Sequence, residues 1–183
     1  VDTATLSRQE LRARIGDAHE AAAAAAAGRS GAVLASDDDT TAEQVAVSAA
    51  HGMRLAEFPT TREAAEACRA AGIAVMMGAP NVIRGGSHSG NVAAEDLARA
   101  GLLDILSSDY IPAALLMAAF RLGALWDDMA RAVATVTAAP ARATGLDDRG
   151  ALVPGLRADV LRVAEAAGAP AVRETWVGGR RVA

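Results

Sequence analysis

Apolar residues in this chain come in short bursts, recurring about every 20 to 30 residues, and each burst stops abruptly at polar, glycine or acidic positions. The bursts Ala32–Ser36, Arg54–Phe58, Ile73–Met77 and Leu102–Leu106 read as strands. Thr40 or Thr41 caps a helix that runs to about Ala50 with Glu43 early in it, and Pro59-Thr60-Thr61 opens a second, with Glu63 in its first turn, ending at Gly72. A long polar loop is expected after Met77, then a third helix over Ala93–Ala100 closed by Gly101. Strand and helix alternating four times predict a parallel sheet with helical crossovers.

The flanks differ. Leu6–Ala27 reads as one helix stopped by Gly28 and Gly31. Ile111–Leu122 and Trp126–Ala139 read as helices, with Pro112 in a first turn and Pro140 as a stop. The tail is turn-rich over Gly150–Asp159, then carries strands over Val160–Val163 and Val172–Val177, with a Gly178-Gly179 turn into Arg181-Val182. Three regions follow: an N-terminal helix over 1–31, the βα series over 32–145 and a small antiparallel β layer over 146–183.

Composition narrows the class. With 183 residues the chain can bury a core; its hydrophobic fraction is 52% but its aromatic fraction only 3%, so the core relies on alanine and aliphatic side chains. A net charge of -4 argues against a nucleic-acid or anionic-membrane partner. Cys68 is the single cysteine and reads as a buried thiol. The first residues lack the plan of a signal peptide, and no apolar run reaches the ~20 residues of a membrane span, so a cytoplasmic setting is expected. Val1 fits either a piece of a longer protein or a GTG start codon.

In parallel α/β folds chemistry gathers at the carboxyl ends of strands and in the loops after them. There Asp109 can ligate a divalent metal, serve as a base toward water, or cap the helix expected from Ile111. His88 sits between serines in a glycine-rich loop, as a ligand, a catalytic group or a solvated side chain. Arg84 with Gly85 and Gly86 fits an anion held by a guanidinium and backbone N–H groups, with Ser87, Asn91 and Asn81 alongside. Asp37-Asp38-Asp39 fits a cation or a capped, solvated turn, and Glu57 must be paired or placed at a strand mouth.

Five blocks carry more than fold. Ala35-Ser-Asp-Asp-Asp-Thr-Thr41, Ala56-Glu-Phe-Pro-Thr-Thr61, Met77-Gly-Ala-Pro-Asn81, Arg84-Gly-Gly-Ser-His-Ser-Gly-Asn91 and Leu103-Asp-Ile-Leu-Ser-Ser-Asp-Tyr110 resemble successive segments of one family. It is the ribose 1-methylphosphonate 5-triphosphate diphosphatase family of carbon–phosphorus lyase metabolism, within the amidohydrolase superfamily. The tail, with Gly150, Pro154-Gly155 and Ala158-Asp159 followed by Val177-Gly-Gly-Arg180, is similar to the superfamily's C-terminal return to a β-sandwich.

The resemblance implies the C-terminal half of a distorted (β/α)8 TIM-type barrel, with a sandwich segment appended. It implies a divalent metal, usually zinc, and hydrolysis of a ribosyl triphosphate to pyrophosphate and the 5-phosphate. Asp109 matches the last-strand aspartate that contacts metal and water, and Arg84, His88 and Asn91 match the substrate-facing loop. The superfamily's first-strand His-x-His is absent, and Asp37 stands where the family has a histidine ligand, so the metal site is incomplete or lost in this chain; Asp37 and Glu57 are the remaining candidate ligands beside Asp109. The expected partners are a phosphorylated ribose and either a second copy or a partner supplying the other half-barrel. Two rival readings stand beside the hydrolase: a non-catalytic phosphate-binding or assembly module, and another amidohydrolase acting on C–N bonds.

Overall fold

The computed structural model describes residues 8–87 and 89–183. Helix α1 (Arg8–Ser30) passes through Gly28 and ends against Gly31, whose φ of 69° turns the chain out. The start expected at Leu6 lies outside the described residues. The βα series then runs β1 (Ala35–Asp37), α2 (Ala42–Ala50), β2 (Leu55–Glu57), α3 (Arg62–Ala71), β3 (Ala74–Gly78), α4 (Ala79–Arg84), α5 (Ala94–Arg99) and β4 (Ile105–Ser107). All four strands are parallel and lie side by side in chain order.

Local chemistry sets the helix starts. Thr41 makes a reciprocal capping box with Gln44 at the start of α2, and the Thr61 hydroxyl accepts the Ala64 N–H at the start of α3. The two cap segments are tied together: Thr61 Oγ1 donates to Thr40 O at 2.6 Å, and the Thr40 and Thr60 hydroxyls meet at 2.8 Å. Gly72, at φ 72°, closes α3 as its position predicts.

Side-chain alternation gives the sheet two unlike faces. Ser36, Ala56, Val75, Met77 and Leu106 share one face and are buried beneath the helices. Around them lie fully buried Val45, Val82, Leu97, Leu122 and Cys68, with small residues such as Ala64, Ala94 and Ala118 letting the helix backbones approach closely. The Cys68 thiol is pushed up to about 11 by burial, an inert packing group. On the other face the register aligns Asp37, Glu57, Met76 and Ile105 in a row; Asp37 is exposed, and Glu57 and Met76 are half-buried.

Three expectations need correction. The polar loop expected directly after β3 begins as helix α4, because Pro80 fits a first helical turn, where its missing N–H is no loss. α6 (Ala114–Trp126) starts later than Ile111 and takes in Trp126. Asp127, at φ 51°, ends it, and Asp128 caps α7 (Met129–Ala134) by accepting the Arg131 N–H. Pro140 does not stop a helix but sits in the first turn of α8 (Ala138–Ala143). At the edge of β4, Leu106 N–H donates to Thr135 O at 3.1 Å, so the end of α7 covers part of that strand.

The tail forms a separate antiparallel sheet of β5 (Val160–Ala166), β6 (Ala169–Val177) and β7 (Arg180–Arg181). β5 and β6 extend past their expected ends to meet at Ala167-Gly168, both at positive φ, which is a two-residue hairpin turn. Among the described residues no helix is long and apolar enough to cross a membrane.

Candidate functional site at the carboxyl ends of the parallel strands

Each of the first two strands carries its ladder one residue further before turning. Asp38 N–H donates to Glu57 O at 3.0 Å and Phe58 N–H to Met76 O at 2.9 Å, after which both residues turn through left-handed conformations, at φ 58° and 54°. Beyond β4, Asp109 does the same at φ 50°. Aspartate tolerates this region, whereas phenylalanine in it costs on the order of 1–3 kcal/mol and persists only where its surroundings hold it. All three residues line one cleft of about 240 Å³ at the strand mouths.

The loop after β3 closes that cleft. Asn81 anchors both of its ends: its main-chain oxygen accepts the N–H groups of Gly85 and Gly86, each at 3.0 Å, and its Oδ1 accepts the Ala94 N–H at 2.9 Å. Val92 N–H donates to Thr60 O at 2.9 Å, tying this loop to the one after β2. Arg84 reaches across to donate from Nη2 to the Tyr110 hydroxyl at 3.0 Å. Asp109 is steered by its neighbours, its N–H donating to Ser107 Oγ and its Oδ1 accepting the Tyr110 N–H at 2.8 Å. Gly78 leaves room for it, since a Cβ there would sit 3.0 Å from Asp109 Oδ2.

Of the residues singled out by sequence, Asn81, Arg84, Gly86, Ser87, Asn91 and Asp109 line the cleft. Gly85 is adjacent to it but outside the lining. His88 lies outside the described residues. The role expected for Gly85 and Gly86 changes: Gly86 N–H bonds Asn81 O and Gly85 N–H bonds Val82 O as well, a Schellman stop for α4. Their N–H groups are therefore engaged within the chain, which leaves the Arg84 guanidinium as the candidate donor of that group toward a ligand. Asp109 is not a helix cap, because α6 begins at Ala114 with no side-chain cap.

The acidic residues separate by environment. Asp39 is buried and accepts from the Ser36 hydroxyl at 2.6 Å, with Ser48 at 3.4 Å, so it braces the β1 loop. Glu57 stands at the strand mouth without an ion pair or side-chain hydrogen bond among the described residues. Burial raises its carboxyl above the usual range, and the charges of Asp37, Asp109 and Asp38 raise it further. Asp37 is raised by burial and then by Asp38 and Asp39. Asp38 enters the sequence reading only within the Asp37-Asp38-Asp39 cation candidate, and Phe58 and Tyr110 do not enter it as site residues; for Phe58 no sequence signal marks the left-handed backbone, whereas Tyr110 closes one of the family-like blocks.

A parallel sheet with crossover helices and a cleft at its strand mouths defines an enzyme-type α/β half-barrel, and the amidohydrolase family model matches residues 5–183: the chain belongs to the amidohydrolase family. It is 52% identical over 144 residues to the alpha-D-ribose 1-methylphosphonate 5-triphosphate diphosphatase of Escherichia coli (strain K12), a match covering 75% of this chain and 37% of that protein. A solved amidohydrolase superposes with a TM-score of 0.65 at 20% identity, covering 91% of this chain and 48% of the other. The A. niger ochratoxinase gives 0.62 at 17% identity, covering 90% and 45%. The chain thus spans little more than a third of its curated relative and about half of these barrels, and its four βα units form half of a (β/α)8 barrel.

The family generally uses divalent metals. Among the described residues no group of three or more histidine, cysteine, aspartate or glutamate side chains is arranged to hold one. Glu57 feels the charges of Asp37 and Asp109, yet this all-carboxylate set lacks the imidazole that zinc sites favour, so the described donors do not fit a complete centre.

Proposed function

We propose that this chain is the phosphate-facing portion of a phosphonate-metabolism hydrolase that releases pyrophosphate from a ribose 1-methylphosphonate 5-triphosphate. The observation that supports this most is the strand-mouth cleft, where Arg84, Tyr110, Asn91 and Asp109 converge in a chain so similar to a diphosphatase. The Arg84 guanidinium neutralises phosphate oxygens, with Tyr110 fixing its direction. Asp109 has one oxygen held by the Tyr110 N–H. Its other oxygen is the acceptor for the proton of a water that attacks phosphorus as the bridging P–O bond breaks and pyrophosphate departs. The half-exposed sheet face and the outer edge of β1 suit completion of the barrel by a second half, from another copy or another segment.

Arg84→Ala should weaken binding of a ribosyl triphosphate about tenfold or more, measured by calorimetry on the natural and variant chains. Unchanged affinity overturns the cleft assignment. The incomplete donor set favours a second reading, a phosphate-binding module without activity. Triphosphate binding without pyrophosphate release by the chain supplied with zinc supports that module; turnover supports the hydrolase.

A further inference from the structure

At the opposite end of the same strands lies a second cleft, of about 580 Å³, between the amino ends of β2 to β4 and the helices α7 and α8. Arg54, Arg69, Arg131 and Arg142 line it, from four separate stretches of chain. Asp104 is the one acidic residue in the lining, and it is already engaged: its Oδ1 accepts from Arg69 Nη2 at 3.0 Å and its Oδ2 from the Val75 N–H at 2.9 Å. The Arg131 guanidinium carbon sits over the Trp126 ring, 3.9 Å from its centroid. Arg54 and Arg142 have no ion pair or side-chain hydrogen bond among the described residues.

Four guanidiniums against one carboxylate leave the cleft with three excess positive charges, in a chain whose net charge is -4. Like charges gathered in a concave site repel one another and focus a positive potential, a cost that a bound polyanion offsets. Guanidiniums bind phosphate oxygens through paired N–H donors, which favours an oligophosphate over a simple halide. The walls between the arginines are aliphatic, from Ile105 and its neighbours, and suit a compact ligand held by its charges.

We infer that this cleft is a second anion site, distinct from the strand-mouth cleft, that binds a small oligophosphate of pyrophosphate type. Binding draws Arg131 toward the ligand and so changes the environment of the Trp126 ring.

The probe is inorganic pyrophosphate, titrated into the full chain at low and at moderate salt, read by calorimetry and by tryptophan fluorescence. Arg54→Gln with Arg142→Gln removes the two unengaged guanidiniums; both side chains are exposed, and circular dichroism checks the fold. The expected result is saturable binding with a fluorescence change, weakened at least about tenfold by the double variant and retained by Arg84→Gln. A Trp126→Phe chain should keep the calorimetric signal and lose the optical one. Binding abolished by Arg84→Gln and untouched by the double variant assigns the anion to the strand mouths and overturns the inference. So does an absence of binding at low salt, which would leave the cleft as a surface for another macromolecule.

Discussion

The two faces of the parallel sheet share the same strands and differ in almost everything else. One carries Ala56, Val75, Met77 and Leu106 in a sealed apolar layer; the other runs from buried Ile105 through half-buried Met76 to Glu57 and exposed Asp37, where like charges raise the Glu57 carboxyl. Adjacent residues of one strand therefore serve opposite ends. The helix-covered side supplies cohesion through close packing. The other side holds negative charge that a cation, or basic groups of a second half-barrel, would balance.

The sharpest way to break this contrast uses two neighbours of one type. Met77→Ala, on the sealed face, should cost about 2–5 kcal/mol in chemical denaturation, while Met76→Ala should cost under about 1 kcal/mol. Equal losses would show the second face to be a packed core as well. Thr61→Ala removes a helix cap and a bond between loops, and should cost about 1 kcal/mol with a lowered Tm.

Glu57→Gln acts on the other face and should raise stability at neutral pH, by under about 1 kcal/mol. The sign follows from linkage: a carboxyl raised in the folded state opposes folding when ionised, and that opposition is lifted as pH falls through its folded pKa toward the ordinary 4.5. The advantage of the variant should thus be greatest near neutrality and vanish in acid, as read from denaturation midpoints across pH. An advantage that grew on acidification would contradict the raised pKa. Gly78→Ala should move stability least, within about 0.5 kcal/mol, because its backbone is ordinary extended chain. Its Cβ would press Asp109 aside, shifting the Tyr110 amide resonance, and an unmoved resonance would count against the close approach.

The rhythm of apolar bursts was enough to place all four strands, and threonine and glycine were enough to place the ends of α3. Failures came where a residue has two local uses. Pro80 falls within the expected polar loop and Pro140 is expected as a stop, yet both enter first turns, where proline is tolerated. Gly85-Gly86 fits an anion cradle and a helix stop equally well; the hydrogen bonds to Asn81 and Val82 settle on the stop.

What the chain's order alone determined was whatever acts within a few residues: the βα alternation, a threonine start for α2 at Thr40 or Thr41 and for α3 within Pro59-Thr60-Thr61, and the family-like blocks around Arg84 and Asp109. Tertiary structure decided which of those groups meet. The Arg84–Tyr110 bond spans 26 residues of chain, the arginine cleft draws on residues from 54 to 142, and Glu57 acquires its raised carboxyl from burial and then from charges on other stretches of chain. Such encounters depend on strand register and sheet curvature, which sum over the whole fold, so no local pattern announces them.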